Sequence, residues 1–169
     1  KGVAAFMEQG LALLDPDIKV LIVGGGQDAE RIALLRDKLE HPERVLLLGV
    51  LDDDVCSMLR RHSDLFLMPN VSSPGDVEGY GIAPLEAMYF GTPVVAFAVD
   101  ALVEAVREGG WLITPGDYQE FAEAVHAYYA LAPARRAEVN AQAREYCLRE
   151  YGWDTASARY AELFEEIQS

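Results

Sequence analysis

Five short apolar runs recur along the chain, at 19–23, 44–48, 64–68, 93–97 and 111–114. Their apolar residues are consecutive instead of alternating, which predicts strands covered on both faces, as in a parallel sheet. Between them, 2–14, 28–40, 52–62, 82–90 and 100–107 carry apolar residues at helical spacing. Helix and strand therefore alternate, and the pattern predicts an α/β fold with a Rossmann-like open parallel sheet and helices on both faces. From Asp117 onward the pattern changes, because 118–131, 133–151 and 153–167 read as three helices with no further strand. Asp117 and Asp154 are the expected N-caps of the first and last of these. One domain over 1–169 is expected, an α/β core over 1–116 followed by a helical tail over 117–169.

In open α/β sheets, ligands bind beyond the carboxyl ends of the strands. Gly24-Gly25-Gly26, Gly49-Val50-Leu51, the segment 69–81 and the segment 98–104 each follow a strand, so four loops are expected on one rim. The third is the most informative. Glu78 and Glu86 stand seven residues apart there, Gly79 and Gly81 permit a tight turn, and a helix starts near Ile82 and stops before Gly91. Free amides at such a helix start, with the positive end of its dipole, make a phosphate the expected guest. Two carboxylates beside that anion site would repel it, unless they accept hydrogen bonds from sugar or ribose hydroxyls. Paired carboxylates in a loop also suit a glycosidase acid and base, and an ordinary loop acid with a solvent-facing helix acid is the plainer reading.

Charge narrows the guest. With 28 acidic and 14 basic residues the formal net charge is −14, which disfavours broad attraction to nucleic acid or anionic lipid. A phosphate site here must be local, a small ligand in a shaped cleft. Cys56 and Cys147 lack CxxC spacing, so neither a disulfide framework nor a zinc site is indicated, and a reduced cytosolic setting is the default. No apolar run approaches the roughly 20 residues that cross a bilayer, and no signal peptide is visible.

Other motifs read as structural. Gly24-Gly25-Gly26 precedes a helix, yet Ala29 occupies the third glycine position of a dinucleotide fingerprint. Asp52-Asp53-Asp54 sits where an N-cap and first-turn acids belong, a better account than a metal site. His41, His62 and His126 are far apart and suggest no metal cluster, and Trp111 and Trp153 are expected to pack in the core or between helices.

The run Glu78-Gly-Tyr-Gly-Ile-Ala-Pro-Leu-Glu86-Ala-Met, followed by Gly91-Thr-Pro-Val-Val-Ala, resembles the E-x7-E motif of retaining GT-B glycosyltransferases, family four, group 1. The likeness extends over nearly the whole chain, through Val20-Leu-Ile-Val-Gly-Gly-Gly, Arg44-Val-Leu-Leu-Leu-Gly-Val and Trp111-Leu-Ile-Thr-Pro-Gly-Asp117. It implies one half of a GT-B fold, the C-terminal domain that holds a UDP- or GDP-sugar donor. A partner N-terminal domain of the same protein would bind the acceptor. By this resemblance Glu86 holds the ribose hydroxyls, Glu78 is the catalytic-site acid that contacts the donor sugar, and Gly79, Tyr80, Gly81, Ile82 and Ala83 form the turn whose amides meet sugar or diphosphate. Gly49, Val50 and Leu51 lie along the base, Gly24 and Gly25 under the phosphates, and Lys1 offsets diphosphate charge together with an upstream arginine.

The resemblance implies no metal and no cofactor, the nucleotide sugar being a substrate, and no nucleic-acid partner. It implies a cytoplasmic protein, peripheral at the inner membrane face through the other domain. It further implies that this chain starts late, after a strand that is central in the usual doubly wound order, so that a gap in the sheet is expected. One departure stands at Asp100-Ala101, where the family often carries glycines ahead of the acid that is Glu104 here. A non-catalytic nucleotide-binding module, or a GT-B sugar-nucleotide epimerase or phosphorylase, are the alternative readings.

Overall fold

The computed structural model describes residues 2–72 and 80–168. Five strands, β1 (Val20–Val23), β2 (Val45–Gly49), β3 (Phe66–Met68), β4 (Val94–Phe97) and β5 (Gly110–Ile113), fall within a residue or two of the apolar runs that predict them. Helices α1 (Val3–Gln9), α2 (Ala29–Asp37), α3 (Asp53–His62), α4 (Ile82–Tyr89) and α5 (Leu102–Ala105) alternate with them. Then α6 (Tyr118–Ala130), α7 (Pro133–Tyr151) and α8 (Trp153–Gln168) follow in series.

Every described strand pairing is parallel, but the strands form two sheets, β1 with β2 and β3-β4-β5. Among the described residues β1 pairs only with β2 and β3 only with β4, which leaves one unpaired edge on each. These edges line opposite sides of a cavity of about 620 Å³, with residues 18–23 on one wall and 63–70 on the other. A single parallel strand placed there would give the order β2-β1-strand-β3-β4-β5, the doubly wound arrangement with its first strand central. Gly2 lies at the rim of this slot. Its φ is +80°, and a Cβ there would fall 1.8 Å from the Pro69 carbonyl oxygen, just past the end of β3. The chain therefore enters α1 from the carboxyl end of the slot.

The core concentrates on β4, whose four residues are all fully buried. Phe97 meets Phe121 and Tyr118 of α6 at 5.1 and 5.2 Å between ring centroids, and Phe121 meets Phe6 of α1 at 5.5 Å. Alternate residues of a strand face opposite ways, so Val94 and Ala96 turn toward the other face, where α4 packs. α6 is thus a layer of the sheet. α7 clasps α4 and α5 from outside: Cys147 Sγ donates to the Leu85 carbonyl of α4 at 3.3 Å, and Tyr146 and Tyr151 donate to the Glu104 carbonyl of α5 at 3.1 and 3.0 Å. Asp117 caps α6 by accepting the Glu120 amide at 2.9 Å.

Three expectations need correction. β1 and β2 are not buried throughout, since Leu21 and Leu46 are each 40% exposed and α2 buries no residue. Asp154 lies inside α8, which begins one residue earlier. Trp153 is 90% exposed and packs in no core, at the head of a helix face that also exposes Tyr160, Phe164 and Ile167.

Two measurements test this packing. Gly110→Ala would place a Cβ 1.9 Å from the Val94 carbonyl oxygen across the β4–β5 pairing. It is expected to cost about 3 kcal/mol in urea unfolding. An apolar strand of about five residues added ahead of Lys1 is expected to raise Tm by roughly 10 °C. A Gly/Ser extension of equal length is expected to leave Tm unchanged.

Candidate functional site

The rim at the carboxyl ends of the strands collects the loops singled out in the sequence. After β1 and β2, the Gly24 amide donates to the Gly49 carbonyl at 2.7 Å, which joins the two loops. A Cβ on Gly25 would touch Val50 Cγ2 at 3.2 Å, so Gly25 sits beside Val50. Gly24 and Gly49 have φ of +124° and +65°, and open space faces both. Val50 is 82% exposed, a bare apolar side chain on the rim. Leu51 is half-buried, and its carbonyl accepts from Cys56 Sγ at 3.7 Å.

After β3 the chain reaches α4 through Tyr80 and Gly81. Gly81 holds the left-handed conformation, φ +72°, as the residue before the helix, and a Cβ there would crowd Ala105 at 3.1 Å. Glycine is required twice over, by dihedral and by the close approach of α5. Among the described residues no side chain caps the α4 start, and its first turn holds no acid. A helix start of this kind can offer its first amides to a ligand at the rim. Tyr80 and Ile82 flank the turn, both more than half exposed, and Ala83 borders the cavity that Val23, Pro69 and Asn70 also line. The site thus continues into the slot between the sheets.

Glu86 lies one turn further along α4. Its Oε2 sits 2.9 Å from Arg60 Nη2 near the end of α3, an ion pair that the sequence did not suggest. Arg60-Arg61-His62 reads as an ordinary basic helix end, and nothing in its spacing selects position 86 as a partner. Asp100 has φ +48°, the left-handed conformation for which glycine is the usual residue. Lys1, Glu78 and Gly79, with the rest of 73–79, lie outside the described residues. Among the described residues no cluster of His, Cys, Asp or Glu has metal-binding geometry, and no helix is long and apolar enough to cross a membrane. At the far end of the cavity Tyr129 donates to Asp64 at 3.3 Å, and burial together with that carboxylate pushes its phenol up to about 12.

The chain is similar to known proteins in sequence and in fold. The chain is 31% identical over 153 residues to a phosphatidyl-myo-inositol mannosyltransferase of Mycobacterium leprae, covering 89% of this chain and 38% of that protein. It is 33% identical to a GDP-mannose-dependent alpha-(1-6)-phosphatidylinositol monomannoside mannosyltransferase of Mycolicibacterium smegmatis, covering 88% and 40%. The crystal structure of Anabaena Alr3699/HepE in complex with UDP superimposes with a TM-score of 0.81 at 25% identity, over 98% of this chain and 45% of that one. The chain thus spans about two fifths of the length of the relatives it matches. The model of the family described as "Glycosyl transferases group 1" matches residues 3–146, which include all five described strands and the helices from α1 into α7, and the chain belongs to that family.

Proposed function

We propose that this chain is the donor-binding half of a retaining glycosyltransferase, which moves a sugar from a UDP- or GDP-sugar to an acceptor hydroxyl. The observation that carries this reading is the start of α4 behind Gly81, which no described side chain caps, beside the cavity that Val23 at the end of β1 and Ala83 both line. Related proteins support a nucleotide sugar: one relative is named GDP-mannose-dependent, and one structural neighbour was solved with UDP.

Each residue then has a role. The amides of Tyr80, Gly81, Ile82 and Ala83 receive the diphosphate or the sugar, and the α4 dipole favours the negative charge. Gly24 and Gly25 lie beneath the phosphates, and Gly49, Val50 and Leu51 border the base. Glu86 accepts the ribose hydroxyls, whereas Glu78 and Gly79 contact the sugar. Lys1 offsets diphosphate charge. As the glycosidic bond breaks, charge grows on the departing diphosphate, where fixed amides stabilise it without reorganising. Binding orients the sugar, and no side chain here is needed as a nucleophile. Left-handed Asp100 keeps the backbone that a glycine would provide, so this departure need not abolish phosphate binding. A second, acceptor-binding domain of the same protein completes the cleft and supplies any contact with the cytoplasmic face of a membrane.

Titration of the chain with UDP, GDP and their sugars is expected to give saturable binding to at least one series. No saturation by any, with an intact circular dichroism spectrum, would overturn the donor-site reading. Binding is expected to stay within about twofold when EDTA is added, because amides and the helix end carry the phosphate interaction. A loss of tenfold or more in EDTA would instead establish a metal bridge.

A further inference from the structure

α3 and α4 lie against one another, and an ion pair reaches from the last turn of the first to the middle of the second. Its two members differ. The Arg60 side chain is 20% exposed and that of Glu86 is 47% exposed, so the guanidinium is the embedded partner and the carboxylate faces outward. The backbone beneath Arg60 is held as well. The buried Thr92 hydroxyl, at the turn after α4, donates to the Arg60 carbonyl at 2.5 Å, and the Ser63 hydroxyl donates to the neighbouring Leu59 carbonyl at 2.8 Å. Arg60 also lines the cavity that runs up to Ala83 at the α4 start.

Exposed ion pairs contribute little to stability as a rule, so a helix-to-helix strap is a weak account of this one. The demand on Glu86 is different. It must keep one rotamer and one outward oxygen while an anion binds a turn away, in a molecule of net charge −14. An arginine fixed at its base meets both needs. It occupies Oε2 and leaves the carboxylate plane set, and it offsets the negative charge that would otherwise repel a diphosphate.

We propose that Arg60 is a positioning residue: through the Arg60–Glu86 pair it orients the Glu86 carboxylate for the two ribose hydroxyls of the donor nucleotide. It thereby sets the preference for ribonucleotide over deoxyribonucleotide. This inference rests on the donor-site reading above, in which Glu86 meets the ribose.

The test compares UDP with 2′,3′-dideoxy-UDP, or the guanine pair if that binds more tightly, by calorimetry on the 169-residue chain. The unmodified chain is expected to favour the ribonucleotide by roughly 10-fold or more, as hydrogen bonds to a charged group imply. Arg60→Met is expected to bring the ratio close to one by weakening UDP while leaving the dideoxy nucleotide almost unaffected. Arg60→Lys should recover most of the preference. If Arg60→Met fails to fold by circular dichroism, Arg60→Gln, polar but uncharged, takes its place.

Glu86→Ala separates the two levels of the argument. Loss of the preference in Glu86→Ala but not in the Arg60 variant would overturn the positioning role and leave the ribose site standing. An unchanged preference in Glu86→Ala would overturn the ribose reading and this inference with it. Equal weakening of both nucleotides by Arg60→Met would identify a purely structural strap and also overturn the proposal.

Discussion

A parallel strand buried in the interior must be paired on both edges and covered on both faces, because a backbone amide or carbonyl deprived of water needs a partner. β4 meets both conditions. It has β3 and β5 on either side, α6 on one face and α4 on the other, and its four residues are fully buried. Everything the candidate site needs on that side is referred to this strand. Gly81 starts α4, and α7 holds α4 through the Cys147–Leu85 bond and α5 through the tyrosines that reach Glu104. β1 and β3 meet the first condition on one edge each, and the cavity between them is the consequence.

The proposed anion site illustrates how an acidic protein can still hold phosphate. The field of the whole chain is unfavourable, so the attraction must come from oriented dipoles at short range. A helix start that no described side chain caps supplies them, and Lys1 and Arg60 add positive charge only locally. Acids can then stand close by, provided that each has a partner that fixes its direction, as Arg60 does for Glu86. Capping α4 with an aspartate, as Asp117 caps α6, would occupy the amides that a ligand needs.

Strand positions, the helix order and the glycine turn before α4 were legible in the sequence because each depends on local physics: consecutive apolar residues, capping and a left-handed dihedral. The gap between the sheets was expected only through the family resemblance, because nothing in the apolar runs themselves marks it. What stayed hidden depends on long-range packing. Nothing in the apolar run of β1 or β2 says that Leu21 and Leu46 lack full cover, and nothing at Trp153 says that its ring is bare. The Arg60–Glu86 pair joins helices 26 positions apart in the chain, so no periodicity could reveal it. Asp154 shows a smaller limit, since a cap residue type one position inside a helix gives almost the same local pattern.

The split sheet also divides the molecule energetically. The β3-β4-β5 unit holds the buried core, whereas β1, β2 and α2 contribute few fully buried side chains and would open at lower free energy. The loops assigned to the base stand on the looser unit, and the helix assigned to the diphosphate stands on the tighter one. A nucleotide bound across the rim would therefore act as a non-covalent cross-link, coupling two units of unequal stability into one cooperative body.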